Sequence, residues 1–215
     1  IEVPDNGTVT FDVHSENTLT IRYISLYPLN DDGASLWERK WIYLYDVEKP
    51  FTVTNVAAGT YYVLLHQEGY RSAYSDKNFG GYTMKYTFTP NSYRGDAEPN
   101  DTYDKAIEIK DGETKTGHLG YLYNTSYTDD DDWYKVDVQA GFVKFEIHED
   151  LTTSLDISYI ELFKNDNGNL KSIDYVYVHR GEDHSEFTVT NLEEDGIYYL
   201  KVHREKGAGG YTLTC

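Results

Sequence analysis

The chain has 215 residues, and 37 acidic against 19 basic side chains leave it a formal charge of −18. That excess repels a phosphate backbone and excludes nucleic acid as a partner. No run approaches the roughly 18 apolar residues that a spanning helix needs, so membrane insertion is not expected. The single cysteine, Cys215, excludes an internal disulfide framework and a paired-cysteine metal or redox site.

From the N-terminus, Val9, Phe11 and Val13 alternate with Thr10, Asp12 and His14, the period of two that marks a half-buried strand. Ile24 to Tyr27 forms a second apolar run, and Asp31-Asp-Gly33 supplies a turn. Trp37, Trp41, Tyr43 and Tyr45 then lie on or beside one strand, the last three sharing a face. Phe51 to Asn55 and Tyr61, Val63 and Leu65 repeat the strand pattern, while Tyr70, Tyr74 and Phe79 fall in an insertion. Only Asp101 to Lys110 has any helical character. The preference for tyrosine over methionine, 22 against one, suits strands throughout.

The second half restates the first. Phe51-Thr-Val-Thr-Asn55 returns as Phe187-Thr-Val-Thr-Asn191, and Gly59-Thr-Tyr-Tyr62 as Gly196-Ile-Tyr-Tyr199. Gly80-Gly-Tyr-Thr83 returns as Gly209-Gly-Tyr-Thr212, and Thr10-Phe-Asp-Val-His14 as Lys144-Phe-Glu-Ile-His148. Two tandem antiparallel β-sandwiches are therefore expected, copy one over residues 1–92 and copy two over residues 93–215. Copy two carries a stretch before Val136-Asp-Val138 that has no match in copy one, which opens at the aligned Ile1-Glu-Val3, so the first sandwich is expected to lack its N-terminal segment. Acidity is unequal as well: copy one has 11 acids and 7 bases, copy two 26 and 12.

Several motifs of copy two carry a likeness. Asp96-Ala-Glu-Pro-Asn-Asp101, Gly117-His-Leu-Gly120, Asp129-Asp-Asp-Asp-Trp-Tyr134, Gly196-Ile-Tyr-Tyr199 and Gly210-Tyr-Thr-Leu213 together resemble the bacterial pre-peptidase C-terminal domain family, which includes the collagen-binding domains of clostridial collagenases. The resemblance implies a jelly-roll-like sandwich appended to a secreted or cell-surface bacterial enzyme, non-catalytic and often calcium-binding. It places calcium ligands at Asp96, Glu98, Asn100, Asp129 and Asp132. The residue chemistry agrees, since calcium takes six to eight hard oxygens and four successive aspartates are costly without a cation or full solvation. Where the collagen-binding relatives grip with tyrosines, this chain has His66, Glu68, His203 and Glu205, so collagen is not the favoured ligand.

Sugar rings stack on flat aromatic faces, which makes Trp37, Trp41, Tyr43, Tyr45, Tyr70, Tyr74 and Phe79 candidate ligand-binding residues. His14 and His148, like His66 and His203, recur on the outward parity, a pair at a time and short of the three or four ligands of a zinc site. Catalytic signatures are missing: no Gly-x-Ser-x-Gly, no His-Glu-x-x-His and no phosphate loop. The expectation is a non-catalytic extracellular module that targets a parent secreted enzyme or surface protein to a polymer, polysaccharide first, with calcium stabilising copy two. A structural or chaperone-like accessory of a secreted peptidase, or a collagen- or protein-binding module, is the alternative.

Overall fold

A computed structural model describes residues 1–16, 19–28, 40–41, 50–67, 80–93, 98–124, 127–179, 181 and 184–215. Trp37, Tyr43, Tyr45, Tyr70, Tyr74, Phe79 and Asp96 lie outside the described residues, and Trp41 is described by its backbone alone. In chain order the strands are β1 (Glu2–Val3), β2 (Gly7–Ser15), β3 (Ile21–Pro28), β4 (Lys40–Trp41), β5 (Phe51–Val56), β6 (Gly59–Gln67), β7 (Tyr82–Pro90), β8 (Ile107–Glu108) and β9 (Thr114–Leu119). They continue as β10 (Leu122–Asn124), β11 (Tyr127–Thr128), β12 (Asp131–Val138), β13 (Gly141–Glu149), β14 (Asp156–Asp166), β15 (Asn169–Tyr177), β16 (Ser185–Leu192), β17 (Gly196–Lys206) and β18 (Gly209–Thr214).

The protein is all-β and divides into two compact units, residues 1–91 with 122–128, and residues 92–121 with 129–215. Unit 1 has sheets ordered β1-β6-β3-β4 and β11-β10-β5-β2-β7; unit 2 has β15-β14-β17-β12-β8 and β16-β13-β18-β9. Pairing is antiparallel apart from β8 on β12 and β10 on β5. Among the described residues no helix is long and apolar enough to cross a membrane.

The duplication reaches the level of single contacts. In unit 1 the core is Val9, Phe11, Val13, Ile24, Leu26, Phe51, Val53, Val56 and Tyr61, the inward members of the alternating runs. Phe11 stacks on Phe51 at 5.9 Å and 23°, and in unit 2 Phe145 stacks on Phe187 at 6.3 Å and 25°. Tyr61 donates to the Ala57 carbonyl at 2.8 Å as Tyr198 does to Glu194 at 2.9 Å. Asn55 and Asn191 both adopt the left-handed region, φ 57° and 62°, which asparagine tolerates better than most side chains.

The short segment with helical character keeps a single turn of it. Among Asp101 to Lys110 only Tyr103–Lys105 forms one 3₁₀ turn, after which Ile107–Glu108 pairs with β12. The turn has no buried residue to hold a longer helix down, and Ile109, which is buried, docks in an extended conformation with its N–H on the Lys135 carbonyl.

Candidate functional site

The acidic segments of unit 2 meet at one end of β12. Gly120, at φ 90°, ends β9 and turns the chain so that its N–H donates to the Asp129 carbonyl at 3.0 Å, while the Tyr121 N–H donates to Asp129 Oδ2 at 2.9 Å. The Asn100 carbonyl accepts from the Trp133 N–H at 3.0 Å, and the Asn100 N–H donates to Glu98 Oε2 at 3.2 Å. These bonds seat the Glu98-Pro99-Asn100 segment, which includes a cis Glu98–Pro99 peptide, against the start of β12.

The aspartate run then divides by partner. Asp130 and Asp131 form ion pairs with β17, with the Arg204 guanidinium and with His203 Nδ1 respectively, the latter at 2.6 Å. Asp129 and Asp132 are fully buried. Glu98, Asp129 and Asp132 each offer an oxygen within 4.8 Å of the other two. Oxygens on opposite sides of a calcium ion are about 4.8 Å apart, twice its usual bond length, so the three oxygens are close enough to share one ion. Two fully buried carboxylates and a third beside them carry a large desolvation penalty that a divalent cation offsets.

Asn100, also fully buried, has no hydrogen bond to its side-chain amide oxygen or nitrogen among the described residues, which leaves the oxygen available to a cation. Asp132 is held by the Tyr211 hydroxyl, itself 2.8 Å from the Tyr134 hydroxyl. A Cβ on Gly117 would come within 2.4 Å of the Tyr211 hydroxyl and 2.7 Å of that of Tyr134, so glycine is required for this tyrosine pair to form. Three of the five expected ligands, Glu98, Asp129 and Asp132, thus bring oxygens together, Asn100 is bonded through its backbone to Glu98 and to Trp133 at the start of β12, and Asp96 falls outside the described residues. Asp101 was missed by sequence reasoning: burial first, then repulsion from Asp131 and Asp130, keeps its carboxyl above the usual range against the opposing pull of a backbone hydrogen bond and Lys105. Its place directly after the Glu-Pro-Asn motif was the available signal.

The outward face of the sheet β15-β14-β17-β12 is aromatic, and most of it was not anticipated. Register places Tyr177, Tyr159, His203 and Asp131 in one row, and Tyr175, Glu161, Lys201 and Trp133 in the next. Lys201 Nζ sits 5.0 Å from the Tyr159 ring centroid, 5.4 Å from Phe163 and 5.8 Å from Trp133, and 3.5 Å from Glu161 Oε2. Tyr159 packs on His203 at 4.7 Å, as Tyr23 does on His66 at 4.5 Å in unit 1. Tyr175 and Tyr177 are exposed and meet edge-on at 5.4 Å. Of the sequence candidates, Trp41 has its backbone paired opposite Tyr23.

No protein-family profile matches the chain, and no curated protein sequence does. Among solved structures, the pre-peptidase C-terminal domain of a collagenase from Bacillus anthracis is similar, with 20% sequence identity and a TM-score of 0.36 over 51% of this chain and 92% of that one.

Proposed function

We propose that the chain is a non-catalytic, extracellular accessory module of a secreted enzyme or surface protein, in which calcium fastens the opening of unit 2 and the outer face engages an extended polymer, polysaccharide first. The observation that carries the calcium reading is the pair of fully buried carboxylates, Asp129 and Asp132, within 4.8 Å of each other and of Glu98. Calcium there ties three separate segments, the Glu98–Asn100 turn, the residue after β11 and the start of β12, into one unit.

Polymer binding is supported by Tyr175 and Tyr177, exposed side by side beside the Lys201–Glu161 pair, flat faces next to hydrogen-bonding groups. A glycan array probed with calcium-saturated protein, followed by affinity gel electrophoresis, tests it: Tyr177→Ala and Tyr175→Ala should each weaken retention about tenfold, the loss typical of an aromatic anchor. A silent array removes the polysaccharide reading. Calcium-dependent melting without glycan retention would leave the structural accessory of a secreted peptidase in its place.

A further inference from the structure

A second cluster lies on the other sheet of unit 2, on the outward face of β13. Phe145 and Ile147 point into the core, which turns Glu146 and His148 outward, two residues apart on one strand. Antiparallel pairing puts Ile147 opposite Ser185, so His184, the residue just before β16, comes opposite His148. The two imidazoles pack with centroids 5.4 Å apart, and His148 Nε2 is 3.1 Å from Glu146 Oε1. One donor atom from each of Glu146, His148 and His184 lies within 4.8 Å of the other two.

We propose that Glu146, His148 and His184 form a surface site for a divalent transition metal of the zinc class, separate from the calcium cradle and independent of it. Two imidazole nitrogens and one carboxylate oxygen select zinc, copper or nickel over calcium, because nitrogen donors suit borderline ions. A tetrahedral zinc with bonds of about 2.0–2.1 Å spaces its donors about 3.4 Å apart. The Glu146–His148 donors, 3.1 Å apart, need open by only about 0.3 Å to reach it, and His184, which is exposed, closes the remainder by side-chain rotation. Three protein donors leave the fourth position to water or to a group from a partner. Lys144, the neighbouring cation, is 2.6 Å from Glu186 Oε1 and so is drawn toward that carboxylate.

The duplication supplies an internal control. Asp12 and His14 occupy the corresponding places on β2, with Oδ1 and Nε2 3.9 Å apart. The position matching His184 by the repeat is Glu48, outside the described residues, so copy one has only a single imidazole in this set of three.

The test is Zn2+ titration by calorimetry of the full 215-residue chain, stripped of metal and then saturated with calcium, with Co2+ as a spectroscopic reporter of four-coordinate geometry. One equivalent should bind. His148→Gln and His184→Gln should each weaken Zn2+ at least about tenfold, Glu146→Gln less, and His14→Gln and His203→Gln not at all. All three site residues are partly or fully exposed, so the metal-free variants should melt with the parent, which separates lost ligands from lost fold. Substoichiometric binding, or unchanged affinity in His184→Gln, would overturn the proposal.

Discussion

The motif Gly-Gly-Tyr-Thr leads into β7 in copy one and begins β18 in copy two, and its tyrosine ends in opposite surroundings. Tyr211 on β18 is fully buried and bonds Tyr134 and Asp132, whereas Tyr82, the residue in register with Ser15 on β2 as Tyr211 is with Glu149 on β13, is 54% exposed. β18 is flanked by β13 and β9; β7 pairs with β2 and forms the edge of its sheet. Burial is therefore a property conferred by neighbours rather than by the strand's own pattern, and the described residues of unit 1 include no counterpart of β8, β9, Tyr134 or Asp132.

The largest effect should come from truncating that tyrosine in each unit. Tyr211→Ala removes a buried aromatic and a bonded hydroxyl and should destabilise unit 2 by about 3–5 kcal/mol, while Tyr82→Ala should cost under about 1 kcal/mol, both read from chemical denaturation. Equal losses would mean that the environments do not differ as described.

Acid should distinguish the units next. His118, on β9 and so confined to unit 2, stacks on Tyr121 at 3.9 Å, and burial pushes its pKa down to about 4. Its folded-state pKa lies below the unfolded value of about 6.5, so the unfolded chain binds the extra proton between them. Stability from this group is complete above about pH 6.5 and falls by about 3 kcal/mol as pH drops to about 4, below which it changes no further. Melting of the parent and of His118→Phe across that window should diverge toward acid, with the parent losing more.

Calcium should act on unit 2 alone. At a hundredfold excess over its dissociation constant it should add about 2.7 kcal/mol, seen as an upward shift of one melting transition that chelator reverses and Asp132→Ala abolishes. Identical melting in chelator and in millimolar calcium would remove the ion from the account. The smallest effect should be the one the units share: Asn55→Ala and Asn191→Ala each place alanine at positive φ and should cost about 1 kcal/mol in their own unit, to a similar degree.

The repeat was legible because each copy writes its strands locally, in alternation that survives without knowledge of pairing. Glu98, Asn100, Asp129 and Asp132 were named through a resemblance that short motifs carry, and the burial of Asn100, Asp129 and Asp132 could not be read there. What lay beyond the sequence depended on register. Tyr211 meets Asp132 across 79 positions, and His184 meets His148 only once β13 and β16 are aligned. Tyr159, Tyr175 and Tyr177 look like ordinary strand residues until the pairing of two strands places them on one face. The outward histidines were read as pairs between copies; the imidazole that meets His148 is instead His184, just before a neighbouring strand of the same copy.

The two middle aspartates of the run have a consequence for how the cradle loads. Their partners are neighbours on β17, so alternation sends His203 and Arg204 to opposite sides of the strand, and Asp131 and Asp130 are held by ion pairs that do not involve Glu98, Asp129 or Asp132. Under the proposed calcium reading, β12 would stay threaded in place without the ion, and loading would fill a seat already framed rather than refold a loop around it.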